Sequence, residues 1–364
     1  MARFSAVWFL ISVFLKLKRF MEEFLNKITT LKEYLTGAPK RIAVVTHTNP
    51  DGDAIGSSLA WAEVLVSLGH EVSCLVPNRY PSFLGWMQGV ENVVVAKESQ
   101  ELAAEKVAAA ELVFIMDLNK IDRLDTLTEA IEANTTAPRI LVDHHLSPPN
   151  DYTLQFSYPD LCSTAFLTYK IIEQMVGIDS ISVSIAENLY AGIMTDTGNF
   201  AFSTLTPDLM RAVAVLLERG LNIPKVHTAV YDSYTADRVK LLGYSLCHKM
   251  KLLEEGRAAY LSLSEREMRQ HNFQLGDSEG FVNYPLTIVG VKISAMFTET
   301  RKFIRVSLRS RGDEVDVNVF ARKYFGGGGH KNAAGGKSFV SLRETIENYK
   351  KAVAEFLPTC DLKD

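Results

Sequence analysis

Arg139-Ile140-Leu141-Val142-Asp143-His144-His145 sets a short apolar run directly before one carboxylate and two imidazoles. The run predicts a buried strand, and its polar successors then emerge where α/β sheets bind ligands. Two further runs end in the same way. Ile42-Ala43-Val44-Val45-Thr46 leads into His47, and Leu112-Val113-Phe114-Ile115-Met116 leads into Asp117. Three strand ends carrying acid or imidazole predict one metal-binding edge.

The stretches between these runs have helical spacing, over Ala54 to Leu68, Ser99 to Ala110 and Leu124 to Ala133, with a further strand at Glu71 to Val76. Such alternation predicts a parallel sheet with helices on both faces. An amphipathic helix over Glu22 to Leu35 precedes it. Helices over Ser163 to Val176, Ser182 to Met194 and Pro207 to Arg219 follow. Beyond them, strands at Ala258 to Leu263, Val291 to Phe297, Phe303 to Arg309 and Phe339-Val340 alternate with helices at Glu265 to Gln270, Val315 to Tyr324 and Leu342 to Leu357. The expected architecture is α/β: an N-terminal parallel-sheet domain over 22–225, a helical connector over 226–245, and a smaller α+β domain over 246–358. The active-site cleft is expected between the two domains.

The 364 residues carry a net charge of -4, with 47% hydrophobic and 23% charged side chains. This is the composition of a core-forming protein, and it lacks the basic balance that binding to a long nucleic-acid backbone requires. Cys74, Cys162, Cys247 and Cys360 form no metal-type or disulfide-type spacing, which fits a reducing cytoplasm. Residues 1–21 are an apolar extension. Its run from Phe4 to Leu15 is short for a membrane span, and its basic residues follow the run rather than precede it as in a secretory signal. The extension reads either as sequence ahead of a working start at Met21 or as a weak membrane-surface anchor, and a bilayer partner is not expected.

His47-Thr48-Asn49-Pro50-Asp51-Gly52-Asp53 gathers an imidazole and two carboxylates in a short loop. Mixed nitrogen and hard-oxygen donors suit manganese or magnesium better than a closed zinc site. The plain structural alternative has Asp53 capping the helix at Ala54. Asp117 and Asp196, the latter before the Thr197-Gly198 turn, are each ordinary turn or cap residues when taken alone. Together with the other groups they become ligand candidates.

His47-x-x-x-Asp51-x-Asp53, Asp117, Asp143-His144-His145 and Asp196 resemble, in order, the four motifs of the DHH phosphoesterase superfamily. The distal Ser307-Leu308-Arg309-Ser310 and Gly326-Gly327-Gly328-Gly329-His330-Lys331-Asn332-Ala333-Ala334-Gly335 look like its DHHA1 substrate-binding module. The resemblance covers nearly all of 40–340, and the two-domain layout is most similar to bifunctional oligoribonuclease and pAp phosphatase proteins. It implies two Mn2+ ions, with Mg2+ or Co2+ also tolerated. His47 and Asp51 would bind one ion and Asp53, His144 and Asp196 the other, with Asp117 bridging. Asp143 would orient an imidazole, and His145 would bind the scissile phosphate or protonate the leaving oxygen.

For the distal module the resemblance implies a substrate site formed by Arg309, Ser310, Gly327, Gly328, Gly329 and His330. Side-chain-free backbone there could approach an anion closely. The implied substrates are short 5'-phosphorylated RNA and pAp, and a homodimer is left open. The alternatives are a cyclic or linear dinucleotide phosphodiesterase and a non-catalytic nucleotide-binding regulator. A missing ligand would mark the regulator, and none is missing. Processive exonuclease action and pyrophosphatase activity are disfavoured, by the charge balance and by the distal module respectively.

Overall fold

β1 (Arg41–Thr46) and β4 (Leu112–Met116) lie side by side at the centre of the first sheet, although two other strands separate them in sequence. The computed structural model describes residues 21–146, 148–201 and 205–360, so the apolar run from Phe4 to Leu15 lies outside the described residues. With β2 (Glu71–Val76), β3 (Val94–Val95), β5 (Arg139–Asp143) and β6 (Leu154–Ser157), the sheet runs in the order β3-β2-β1-β4-β5-β6. Every pairing in it is parallel. The chain winds outward from β1 in one direction, then returns to β4 and winds in the other. A crevice therefore opens between the C-terminal ends of β1 and β4, the place where such sheets hold ligands.

Helices cover both faces, as the buried strand β4 requires. α1 (residues 21–35) places Phe24 against Phe156 of β6 at 5.7 Å. α2 (Gly52–Ser67) sets Trp61 edge-on to Phe114 at 5.4 Å. On the opposite face, Val45, Val113, Ile115 and Leu141 pack with Val107 of α3 (Gln100–Ala109) and Ile131 of α4 (Thr128–Ala133). The helix expected from Leu124 is a 3-10 turn over Ile121–Leu127 that breaks at Asp125, where φ is 47°. α5 (Thr164–Met175), α6 (Val183–Asp196) and α7 (Pro207–Glu218) complete this region.

The chain divides into two compact units after Val230, within α8 (Ile223–Tyr231) and ahead of α9 (Ala236–Tyr244). The second unit is built on β7 (Lys251–Leu253), β8 (Ala258–Leu263), β9 (Ile293–Glu299), β10 (Ile304–Ser310), β11 (Gly328–Gly329) and β12 (Ala333–Ser338). They form a mixed sheet ordered β11-β12-β10-β9-β8-β7. Tyr260, Phe297, Val306 and Leu308 pack there against α11 (Val317–Phe325) and α12 (Leu342–Phe356). On the other face, Leu261, Leu263 and Met296 are covered by Leu241, Phe281 and Met268, the last of these from α10 (Glu265–Gln270).

The strand expected at Phe339-Val340 is not there. Pairing runs instead through the glycine-rich Ala333–Ser338, and Phe339 is 79% exposed. The reason is close packing: a Cβ on Gly336 would lie 2.7 Å from Phe325 Cβ. Glycine here admits a strand beneath α11, overriding its weak strand preference.

Glu267 closes a capping box with Ser264 and accepts hydrogen bonds from Tyr244 Oη at 2.7 Å and Lys249 Nζ at 2.6 Å. Partial burial opposes its charge, but these donors outweigh that and hold the carboxyl down at about 2, against an ordinary 4.5. Its contribution is therefore full above pH 4.5 and is lost as pH falls toward 2. Glu267→Gln should cost about 1 kcal/mol at pH 7, and denaturant melts should show that gap closing between pH 4.5 and 2.

Candidate metal centre

His47 leaves the end of β1 with its ring turned back, Nδ1 lying 2.9 Å from the Thr48 carbonyl. An Nδ1–H donated there leaves Nε2 free to coordinate a metal, 3.4 Å from Asp117 Oδ2. Asp117 follows β4 in a left-handed conformation, φ 59°, held by its amide donating to the Val142 carbonyl at 3.0 Å. Asn and Asp tolerate this conformation best among residues with side chains.

Asp51, not Asp53, caps α2, because Asp51 has the extended backbone and its Oδ1 accepts from the amides of Asp53 and Ala54 at 3.1 Å each. Asp53 is therefore released for another task. It lies in the first turn of α2, fully buried, and its two oxygens accept from the first amides of α5: Thr164 N at 2.7 Å and Ala165 N at 2.8 Å. A helix start is a natural cradle for a carboxylate. Thr164 also donates its hydroxyl to Asp117 Oδ1 at 2.8 Å. Ser163-Thr164 was readable in the sequence as a helix start, but its reach to two distant aspartates was not.

His144 stands just past β5 with Nδ1 at 3.1 Å from the Leu161 carbonyl. Its Nε2 lies 3.2 Å from Asp196 Oδ2, 3.7 Å from Asp117 Oδ1 and 3.8 Å from Asp53 Oδ2. Asp196 is the last residue of α6. His145 Nδ1 is 2.7 Å from Asp143 Oδ1, and its amide donates to Asp143 Oδ2 at 3.0 Å. Asp143 thereby fixes both the loop and the ring.

Among the groups of these side chains that could hold a metal ion are His47–Asp51–Asp117 and Asp53–His144–Asp196, in each of which the candidate ligand atoms lie within 4.8 Å of one another; a further group, Asp117–Asp143–His145, shares Asp117. Asp117 directs one oxygen toward each of the first two groups. Its charge state fits that position: burial would raise its pKa, but His47, His145 and His144 outweigh it and hold the carboxyl below its ordinary value. Burial, reinforced by Asp117 and Asp196, pushes Asp53 well above the ordinary range. Burial would lower His144, yet Asp196 and the other carboxylates hold it well above its ordinary value. Such mutual strain among buried carboxylates is what divalent cations relieve, and the mixed oxygen and imidazole donors fit a hard divalent ion.

Close helix packing brings the groups together. A Cβ on Gly56 of α2 would lie 2.4 Å from the Asn188 carbonyl of α6, and one on Gly192 would lie 2.6 Å from Ala165 Cβ and 2.8 Å from Asp53 Oδ1. Gly192→Ala should therefore cost about 1–3 kcal/mol and weaken metal binding about 10- to 100-fold. Manganese titration followed by electron paramagnetic resonance, beside thermal melts, checks both.

In the second unit the glycine run is not an open loop. Gly326 ends α11 in a left-handed conformation, φ 56°, and a Cβ on Gly327 would lie 1.8 Å from the Gly335 carbonyl. Gly328 and Gly329 pair with β12. The amides of Gly327, Gly329 and His330 already donate to Ala321 O, Asn318 Oδ1 and Ala333 O. Close approach of backbone to backbone requires glycine at Gly327 and Gly329. Ser310 is buried, its hydroxyl accepting from Asn332 Nδ2 at 2.9 Å. Arg309 is partly exposed on β10, opposite Ser294 and Ala333.

The family model described as DHH family, N-terminal domain, matches residues 41–193, and that of the DHHA1 domain matches 256–358. A bifunctional oligoribonuclease and PAP phosphatase NrnA of Thermus thermophilus is 27% identical over 91% of this chain and 95% of its own length. The cyclic-di-AMP phosphodiesterase GdpP of Bacillus subtilis is 25% identical over 90% of this chain but 49% of its own. The crystal structure of an exopolyphosphatase-related protein from Bacteroides fragilis is 34% identical, with a TM-score of 0.86, covering 92% of this chain and 97% of that one. The two ligand groups around Asp117 are thus built on a shared fold, and the chain belongs to the DHH family of phosphoesterases.

Proposed function

We propose that the chain is a manganese-dependent phosphohydrolase that degrades short 5'-phosphorylated oligoribonucleotides to nucleoside monophosphates and removes the 3'-phosphate of pAp to give AMP. The observation that carries this reading is Asp117, one oxygen toward each ligand group. His47 and Asp51 would hold one ion, and Asp53, His144 and Asp196 the other. When bound, divalent ions acidify water and neutralise charge developing on phosphoryl oxygens. Magnesium or cobalt would suit the same donors.

Asp143, holding His145 Nδ1 at 2.7 Å, leaves Nε2 to bind the scissile phosphate or to deliver a proton to the departing ribose oxygen. Arg309 and His330 would hold the remote part of the substrate. Full-length similarity to the Thermus protein favours this substrate class, and similarity to GdpP supports a dinucleotide phosphodiesterase as the second reading. Among the described residues no helix is long and apolar enough to cross a membrane. Four unpaired cysteines fit a reducing compartment.

Hydrolysis of pAp, 5'-phosphorylated RNAs of two to five nucleotides, and cyclic di-AMP, compared with manganese and with chelator, tests the reading. Chelator-sensitive turnover of pAp and the shortest RNAs is expected. A strong preference for cyclic di-AMP would move the assignment to the second reading, and tight binding without turnover would make the chain a regulator.

A further inference from the structure

β10 alternates strictly. Ile304, Val306 and Leu308 face the core, while Arg305, Ser307 and Arg309 lie on the other face and stay partly exposed. The register sets Lys337 of β12 directly opposite Arg305, and Ser294 of β9 opposite Arg309. One feature of this face is unfavourable as it stands. Arg305 and Lys337 are like charges on a cross-strand pair, which costs stability. Arg305 is partly buried, and the charge of Glu279 acts on it through space.

An anion lying along the face would relieve this repulsion, accepting from Arg305 and sitting between it and Lys337. At the Arg305 end the row finishes in aromatic side chains. Lys337 Nζ lies 5.0 Å above the Phe303 ring, and Phe303 stands 6.3 Å from the exposed Phe339. Cations beside aromatic rings are what single-stranded nucleic acid uses for its backbone and bases.

We propose that this half of the sheet face is a second anion subsite, in which Arg305 and Lys337 hold a phosphodiester of a short oligonucleotide while Phe303 and Phe339 stack a base. Four residues of strand put it about 13 Å from Arg309. The inference rests on the reading of the chain as an oligonucleotide phosphohydrolase and adds to it a determinant of substrate length. pAp carries both phosphates on one nucleoside and cannot span the two arginines. A trinucleotide can, so the subsite favours oligomers over pAp.

Arg305→Gln and Lys337→Gln test it. The ratio of kcat/KM for a 5'-phosphorylated trinucleotide to that for pAp should fall about tenfold in each, through KM, and the salt dependence of trinucleotide binding should weaken by about 0.7 in log–log slope. An unchanged ratio in both variants would overturn the subsite. Lys337 is exposed, so its variant keeps the test alive if Arg305→Gln fails to fold. Fluorescence anisotropy of a labelled trinucleotide, with pAp as competitor and chelator present, separates this inference from the functional reading. If the unaltered protein hydrolyses neither substrate, the functional reading fails. A selective loss of trinucleotide affinity in the variants would still support the subsite, and equal loss for both ligands would still overturn it.

Discussion

Asp117→Asn should lower turnover of pAp at least about 10^3-fold while the chain keeps its fold. The substitution conserves shape, and asparagine tolerates the left-handed backbone at φ 59°. The amide that anchors this residue to Val142 is untouched, and the Asn Oδ1 can still accept from Thr164. What is lost is the negative charge facing His47 at 3.4 Å and His144 at 3.7 Å. Without it the first group loses a member and the second loses the carboxylate that faces it. Circular dichroism and thermal melts should match the unaltered protein, and activity within tenfold of it would contradict the role given to Asp117.

The metal-free protein should grow more stable as pH falls from 8 to 6, and metal should reverse that trend. The signs follow from two sets of groups. His47 and His144 lie above their ordinary 6.5, because neighbouring carboxylates outweigh burial, so their contribution is full below pH 6.5 and is lost as pH rises. Asp51 and Asp53 are raised chiefly by burial. Both shifts have the same sign, binding protons more tightly in the folded state than in the unfolded chain, and so likewise favour folding as pH falls. Asp117 is shifted the other way, but its change lies far below this window. Bound cations compete with those protons. Each ion should add about 2.7 kcal/mol when present at a hundredfold excess over its Kd. Denaturant melts at pH 6, 7 and 8, with chelator and with manganese, check the slope and its reversal.

Much of this was legible in the sequence because the chemistry sits at strand ends. Apolar runs stopping at His47, Asp117 and Asp143 marked both the sheet and its working edge, and the spacing of Asp51 and Asp53 singled out the loop between β1 and α2. Other features depend on contacts between distant residues. Two aspartates stand at the start of α2, and only the extended backbone of Asp51 decides which one caps. Thr164 reaches Asp117 across 47 residues, and Gly192 matters because Asp53 lies against it. The packing of the glycine run between β11, β12 and α11 was hidden for the same reason. The edge strands β3 and β6 were too short for any periodicity to show.

The most direct test of the two-ion account is a manganese titration of metal-free protein, with bound ions counted by electron paramagnetic resonance and pAp hydrolysis followed in the same samples. The account predicts two ions per chain and turnover that rises only as both are bound. A single ion at full activity, or hydrolysis that survives chelation, would contradict it.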